Sequence, residues 1–180
     1  MLVPKGDLVR PATDGMRQAL FSSLAARVEG ASFLDLFSGS GAYGLEALSR
    51  GAKEGIFVEK NTKAVSCIRQ NITSVCKSLG RSEQSLSIVQ ADVLNWLQRP
   101  AGGEPGLVFI DPPYELIDEI APRIFEVLSN RYSASSDPVI LFEMPGELTL
   151  EPSGWTCVKR LGKGVRQPTV GIFRRVASSG

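Results

Sequence analysis

Residues 33–44, FLDLFSGSGAYG, decide the fold of this chain. The apolar run at its start is typical of a buried strand. It passes directly into a loop that contains Gly39, Gly41 and Gly44. Glycine permits the backbone angles of a tight turn and the close approach of a ligand. The segment therefore predicts a strand, a ligand-binding turn and the start of a helix.

The same order of elements repeats along the chain. The apolar runs GIFVE, LSIV, LVFI and VILF predict strands that end at residues 59, 89, 110 and 142. Segments of helical length lie between them, at 44–50, 62–79, 93–97 and 116–128. This alternation predicts an α/β fold with a parallel, doubly wound sheet and right-handed crossovers. Residues 155–161 and 169–173 have no helix between them, so they predict an antiparallel hairpin that closes the sheet.

The ends of the chain frame this core. A helix capped by Thr13 or Asp14, with Leu20 and Phe21 on one side, is expected to cover the sheet edge. A chain of 180 residues suits one hydrophobic core. We expect a single domain, with an N-terminal arm and helix at 1–30, the α/β core at 31–176 and a disordered tail at 177–180.

Composition excludes several kinds of chemistry. The chain has no histidine, which removes Ser-His-Asp and Cys-His catalysis and His-liganded metals. Its three cysteines are too scattered for a disulfide framework or a zinc site, so we expect no metal and free buried thiols. No apolar run is long enough to span a membrane, and the N-terminus has no export signal. These features predict a cytoplasmic protein without a membrane role.

Carboxylates accompany the strand ends at which a nucleoside could bind. Asp35 lies inside the first strand, Glu59 ends the second, and Asp92 follows the third. Glu59 is placed to accept hydrogen bonds from the two hydroxyls of a ribose. Asp92 could accept a bond from an adenine amino group, or it could simply cap the next helix.

Two ligands suit a glycine loop of this kind. A nicotinamide dinucleotide would leave Asp35 without a role, whereas the ammonium group of S-adenosylmethionine would find a favourable negative field there. We therefore predict S-adenosylmethionine as the cofactor, with S-adenosylhomocysteine as product. The predicted cofactor-binding residues are Asp35, Phe37, Ser38, Gly39, Ser40, Gly41, Glu59, Lys60, Ala91 and Asp92.

The predicted catalytic motif is Asp111, Pro112, Pro113 and Tyr114, directly after the fourth strand. Two prolines remove backbone donors and stiffen the loop, which leaves carbonyl and carboxylate oxygens as fixed acceptors. Asp111 and the Pro112 carbonyl could hold both hydrogens of an exocyclic amine and aim its lone pair at a methyl sulfonium. Tyr114 could stack on a flipped or unpaired base.

Basic residues near both ends predict contact with nucleic acid, although the net charge is only +1. Residues 155–180 contain no acidic residue, and their basic residues are Lys159, Arg160, Lys163, Arg166, Arg174 and Arg175. If the two ends meet on one face, they form a patch that attracts phosphate. A solvated terminal tail is the alternative. The predicted RNA-binding residues are Arg10, Arg17, Lys163 and Arg166.

Four segments together resemble the RsmD-type 16S ribosomal RNA guanine-N2 methyltransferases. They are RPATDGMRQALF, LDLFSGSGAYGLEALSRGA, FVEKN and FIDPPYE, and the resemblance runs from Arg10 to about Phe173. It implies a Rossmann-like class I methyltransferase fold with a mostly parallel seven-stranded sheet. It also implies that Arg10 and Arg17 lie near the cofactor and RNA entrance, and that the partner is 16S rRNA or the 30S subunit.

The chain departs from the pattern of this family at Ala12, where Thr is usual, at Gln18, where Glu is usual, and in the terminal stretch GKGVRQPTVGIF. Three alternatives remain open at this point. They are an amino methyltransferase of DNA adenine or of another RNA, a nicotinamide oxidoreductase, and an RNA-binding module without catalysis. We expect a monomer.

Overall fold

One seven-stranded sheet organises residues 14–99 and 103–176, which are the residues that the computed structural model describes. The strand order is β3-β2-β1-β4-β5-β7-β6. The strands are β1 (Ser32–Leu36), β2 (Glu54–Glu59), β3 (Leu86–Gln90), β4 (Leu107–Ile110), β5 (Val139–Pro145), β6 (Trp155–Leu161) and β7 (Pro168–Arg175). β1 to β5 are parallel, and β7 is antiparallel to both β5 and β6. The predicted α/β sheet with its terminal hairpin is confirmed.

Two helices precede β1, and the others lie between strands as the sequence predicts. The helices are α1 (Asp14–Ser23), α2 (Ala25–Val28), α3 (Ala42–Ser49), α4 (Thr62–Leu79), α5 (Val93–Leu97) and α6 (Ile117–Arg131). α4 begins at the side chain of Asn61, which accepts hydrogen bonds from two backbone N–H groups, and ends at Gly80 in the left-handed conformation. The fourth predicted helix starts later than expected because a 3-10 turn, Tyr114–Leu116, follows the two prolines.

α1 covers a face of the sheet, so the prediction that it covers the edge is wrong in its main part. Leu20 and Phe21 are fully buried, and the Phe21 ring lies 5.7 Å from that of Phe109 on the central strand β4. The helix also reaches the edge strand, where the Lys159 ammonium donates to the Ser23 hydroxyl at 2.8 Å. Apolar side chains on one side of α1 are better buried over the centre of a sheet than along its rim.

The two faces of the sheet carry separate cores. One contains Phe33, Phe57 and Phe109 under α1, α3 and α4. The other contains Leu34, Val108 and Phe142 under α5 and α6. Of the three unpaired cysteines, Cys76 is buried and Cys157 is exposed, which corrects the expectation that all are buried. No helix in the described part of the chain is long and apolar enough to cross a bilayer.

Candidate active site

Three carboxylates meet at the edge of the sheet where the parallel strands end. Asp35 is the register partner of Phe109, so Asp111 lies two residues further along on the same face. Ile110 pairs with Phe142, so Asp111 and Glu143 follow at equivalent positions of β4 and β5. This face is the one that α1 and α3 cover. The strand order also reverses between β1 and β4, which is where open α/β sheets bind ligands.

The glycine loop between β1 and α3 is bent by residues in the left-handed region. Gly39 and Gly41 have φ angles of 54° and 80°, and Phe37 has a φ of 57° although it is not glycine. Such a conformation in Phe37 is strained, and strain of this kind is found at ligand sites. The Ser38 hydroxyl donates to the Asp35 carbonyl at 2.6 Å, and the Ser40 carbonyl accepts from the Asn71 amide at 3.0 Å. Side chains thus hold this loop in shape.

Gly44 sets how closely α3 approaches the sheet. A Cβ at this position would lie 2.5 Å from the Phe57 ring and 2.6 Å from the Phe33 ring. Only glycine therefore allows the helix to pack here, and this contact brings the start of α3 against the loop.

Asp35 is the buried acid of the loop, with 1% of its surface exposed. Its Oδ2 accepts a hydrogen bond of 2.9 Å from the Gly44 N–H. Burial raises the pKa of Asp35 to about 8, the Gly44 hydrogen bond opposes this change, and the charge of Glu59 adds to it. A cation that approaches this carboxyl group favours its ionised form.

Glu59 and Asp92 stand at the ends of the next two strands. Glu59 Oε2 accepts from the Gly39 N–H at 3.0 Å, and Oε1 accepts from the Asn61 N–H at 2.7 Å. Asp92 caps α5, because its Oδ1 accepts from the Asn95 N–H at 3.1 Å. The Ala91 N–H donates to the Glu59 carbonyl, which ties the two strand ends together, and Lys60 is exposed beside them. All the predicted cofactor residues therefore lie along one edge.

The catalytic loop, which is Asp111, Pro112, Pro113 and Tyr114, follows β4 at the same edge of the sheet. The Pro113 carbonyl accepts from the Leu116 N–H at 3.0 Å, whereas the Pro112 carbonyl accepts no backbone N–H from the described residues. Burial raises the pKa of Asp111 well above its usual range, and the charges of Glu143 and Asp35 raise it further. Tyr114 is partly buried, and its hydroxyl donates to Glu143 Oε1 at 3.5 Å.

Glu143 and Tyr43 also belong to this site, although the sequence pattern predicts no role for them. The Glu143 side chain is 2% exposed, and its Oε2 accepts a hydrogen bond of 2.5 Å from the Tyr43 hydroxyl. β5 continues through Glu143 to Pro145 and does not end before it. A signal was present: an acid closes the apolar run VILF as Asp111 closes LVFI.

Four of the six basic residues of the C-terminal segment have partners within the fold, and none of the four is among the predicted RNA-binding residues. Lys159 and Arg160 bind partners within the fold, and Arg160 donates to the carbonyls of Pro145 and Leu148. Arg174 pairs with Asp137, and Arg175 donates to the Ser133 carbonyl at 2.7 Å. The residues concerned are Lys159, Arg160, Arg174 and Arg175.

Lys163 and Arg166 are exposed in the loop between β6 and β7. Because Pro168 is the register partner of Pro145, this loop lies at the same edge as the catalytic motif. Glu147 fixes the loop by accepting the Arg166 N–H at 2.7 Å. Arg17 pairs with Asp14. Burial raises the pKa of Glu143 and the charge of Arg17 opposes that rise, so Arg17 lies near Glu143. Arg10 lies outside the described residues.

Metal-ligating groups and cavities bear on the nature of this site. In residues 14–99 and 103–176, no group of three or more Cys, Asp or Glu side chains could hold a metal ion. A cavity of about 580 Å³ lies between α6 and residues 150–154, and it contains none of the predicted site residues.

Comparison with known proteins places this geometry in a family. The model of the family described as "Conserved hypothetical protein 95" matches residues 1–170. The chain belongs to this family. It is 27% identical to "Ribosomal RNA small subunit methyltransferase D" of Buchnera aphidicola over 153 residues. These aligned residues cover 84% of this chain and 76% of that relative. A protein of the same name from Escherichia coli is 34% identical over 112 residues, 62% of this chain and 53% of the relative. The resemblance to the RsmD-type enzymes is confirmed.

Solved structures agree with the fold. An Escherichia coli structure described provisionally as the methyltransferase yhhF matches with a TM-score of 0.78 and 28% identity, over 99% of this chain and 92% of that one. A conserved hypothetical protein of Streptococcus pyogenes matches with a TM-score of 0.76 and 27% identity, over 89% and 95% of the two chains. The predicted methyltransferase fold and the dependence on S-adenosylmethionine are confirmed at the level of the family.

Proposed function

We propose that this protein transfers the methyl group of S-adenosylmethionine to the exocyclic N2 amino group of a guanine in small-subunit ribosomal RNA. One observation carries the proposal: the rigid Asp111–Pro112–Pro113–Tyr114 loop and the glycine loop lie on one face and one edge of the sheet. The first loop presents acceptors for an amine, and the second is shaped for a nucleoside. The names of the relatives support ribosomal RNA as the substrate.

The residues of the cofactor edge fit S-adenosylmethionine. Asp35 offers a buried carboxyl group to the ammonium of the cofactor, and Glu59 lies where ribose hydroxyls can be bound. Asp92 caps α5 through Oδ1, so its Oδ2 can accept a hydrogen bond from the adenine amino group. Backbone atoms of Phe37, Ser38, Gly39, Ser40 and Gly41 would surround the methionine part. When bound, the cofactor supplies an electrophilic methyl group on a positively charged sulfur.

The catalytic loop prepares the amine for this methyl group. An exocyclic amine is a poor nucleophile because its lone pair is delocalised into the ring. Asp111 and the Pro112 carbonyl accept the two amine hydrogens, which draws the nitrogen toward tetrahedral geometry and frees its lone pair. Tyr114 stacks on the base, an interaction worth about 1–3 kcal/mol. Once methylated, the nitrogen releases its extra proton to Asp111 or to water.

The exposed cations mark the side from which RNA arrives. Lys163 and Arg166 flank the catalytic edge in the hairpin loop, and Arg17 lies beside it. With two exposed cations in this loop, the protein is better suited to a substrate recognised by its folded shape than to one bound by charge alone. The assembled or assembling 30S subunit has such a shape, so we infer that a monomer acts on this particle in the cytoplasm. We assign residues 1–180 to one methyltransferase domain.

The experiment uses purified protein, tritiated S-adenosylmethionine and three acceptors: 30S subunits, naked 16S RNA and duplex DNA. The RNA and the subunits come from a strain that lacks the modification. Label in N2-methylguanosine, greatest from 30S subunits, is the expected result. Label in N6-methyladenine from DNA would retain the amine chemistry of Asp111 and overturn the substrate. No transfer to any acceptor would contradict the proposal.

A further inference from the structure

Glu143 is a buried acid between two functional segments. It lies inside β5, with 2% of its surface exposed. Its two oxygens contact different phenols, Oε2 that of Tyr43 at 2.5 Å and Oε1 that of Tyr114 at 3.5 Å. Tyr43 belongs to α3, directly after the glycine loop, and Tyr114 belongs to the catalytic loop. One carboxylate thus connects the cofactor side of the site to the substrate side.

A buried acid needs such partners because an ion without them is poorly stabilised away from water. The two tyrosines supply hydroxyl donors, and Arg17 on α1 supplies a positive charge. Burial raises the pKa of Glu143, and the two tyrosine hydroxyls and the charge of Arg17 oppose part of that rise. The charged and titratable groups that face this part of the site are Arg17 from α1, Asp35 from β1, Tyr43 from α3, Asp111 and Tyr114 from the catalytic loop, and Glu147 after β5.

We propose that Glu143 is a positioning residue for methyl transfer, which fixes the Tyr114 ring over the target base and links the catalytic loop to α3 through Tyr43. This inference rests on the proposed function, because it assigns Tyr114 the role of stacking platform. A tyrosine that stacks on a base must hold its ring plane as the base arrives. The hydroxyl is the only polar group of this side chain, so a hydrogen bond to it is the way in which the protein can fix the far end of the ring.

Glu143 also acts on the neighbouring acid, Asp111. Asp111 and Glu143 end adjacent parallel strands, and the charge of Glu143 raises the pKa of Asp111. Since Asp111 accepts amine hydrogens, its ionised form is the active one. Glu143→Gln removes the charge, so it lowers the pKa of Asp111. It also leaves one oxygen acceptor in place of two, so the short hydrogen bond from Tyr43 can be kept while the longer one from Tyr114 is lost. The acid limb of the kcat/KM profile should then move to lower pH, which a purely structural role would not cause.

Kinetics of a double-mutant cycle test the link to Tyr114. Glu143→Gln, Tyr114→Phe and the double variant are compared with wild type for KM toward 30S subunits. Loss of one hydrogen bond should raise KM roughly three- to tenfold in each single variant. The double variant should be no worse than the more impaired single variant, because both changes remove the same hydrogen bond. Multiplicative effects, or an unmoved acid limb, would overturn the proposal.

A matched control deletes a phenol elsewhere. The Tyr132 hydroxyl donates to the Pro105 carbonyl at 2.7 Å, outside the site. Tyr132→Phe should leave KM and the pH profile unchanged. If it raises KM as Tyr114→Phe does, the effect reflects general loss of packing and contradicts a specific link.

A spectroscopic readout separates this inference from the proposed function. The chain has three tyrosines, so protein labelled with 3-fluorotyrosine gives three ¹⁹F resonances, which tyrosine-to-phenylalanine variants assign. Glu143→Gln should shift or broaden the resonances of Tyr43 and Tyr114 and leave that of Tyr132 unchanged. This result can hold even if RNA is not methylated. Unchanged Tyr43 and Tyr114 resonances would overturn the positioning role, whatever the substrate proves to be.

Discussion

The Asp35 carboxylate and the Gly44 N–H are joined by a buried hydrogen bond of 2.9 Å across the glycine loop. This bond ties the strand before the loop to the helix after it. The same carboxyl group faces the place proposed for the cofactor ammonium, so Asp35 has both a structural and an electrostatic part. The two parts respond differently to pH.

The free energy of unfolding of the protein without ligand should fall as the pH rises, because Asp35 titrates differently in the folded and unfolded states. Its pKa is about 8 in the folded chain and near 3.8 when exposed, so between these values the folded state holds a proton that the unfolded state releases. Stability from this group is present below about pH 4 and declines up to about pH 8. The free energy of unfolding of Asp35→Asn, relative to that of wild type, should rise by up to about 1.4 kcal/mol per pH unit in this window. Urea unfolding at pH 5, 6.5 and 8 measures it, and a difference independent of pH contradicts it.

Cofactor binding should show the opposite preference. A cation beside Asp35 favours ionisation, so binding at pH 7 should release close to one proton, and Asp35→Asn should weaken binding about tenfold or more. Calorimetry of S-adenosylmethionine binding in buffers of different ionisation enthalpy counts the protons. If wild type and Asp35→Asn release the same number, Asp35 is not the group that responds to the cofactor.

Gly44 should tolerate no side chain. Gly44→Ala places a methyl group 2.5 Å from the Phe57 ring, and overpacking of this kind typically costs about 1–3 kcal/mol. Gly15→Ala is the matched control, since nothing lies within 4 Å of the added Cβ and alanine favours the helix by up to about 1 kcal/mol. Thermal unfolding compares the two variants. Equal melting temperatures would show that α3 can move away from the sheet.

The hairpin loop should bind RNA through charge. Lys163→Glu and Arg166→Glu should weaken binding to 30S subunits and reduce the dependence of log K on log salt, by about one unit for each phosphate that the variant no longer neutralises. Lys77→Glu makes the same charge change at the far end of α4, which lies toward the opposite edge of the sheet. Filter binding at several salt concentrations gives the slopes. A loss of equal size in Lys77→Glu would indicate a general effect of charge.

The sequence predicts the fold well because each element has its own local signal. Apolar runs and glycine turns specify β1 to β5, and the absence of a helix between 155 and 175 specifies the hairpin. Asp35, Glu59 and Asp111 could be chosen as candidates because they lie at or near the ends of strands that must share one edge. Their spacing along the chain is sufficient for that conclusion.

Contacts between distant segments could not be predicted in the same way. Glu143 meets Tyr43 across 100 residues, and this depends on strand register and on which face each side chain occupies. The basic terminus shows the same limit. Charge counts indicate a patch, whereas Arg160 and Arg174 are bound to partners within the fold.

The most direct test of the central claim is mass spectrometry of nucleosides from 16S rRNA in the source organism, with its gene deleted and then restored. Asp111→Ala should lose at least about 100-fold in methyl transfer, as expected for removal of a group that acts in the transition state. Its affinity for S-adenosylhomocysteine should remain near that of wild type. Deletion should remove N2-methylguanosine, the wild-type gene should restore it and the Asp111→Ala gene should not. Undiminished N2-methylguanosine after deletion, or its restoration by Asp111→Ala, would contradict the account.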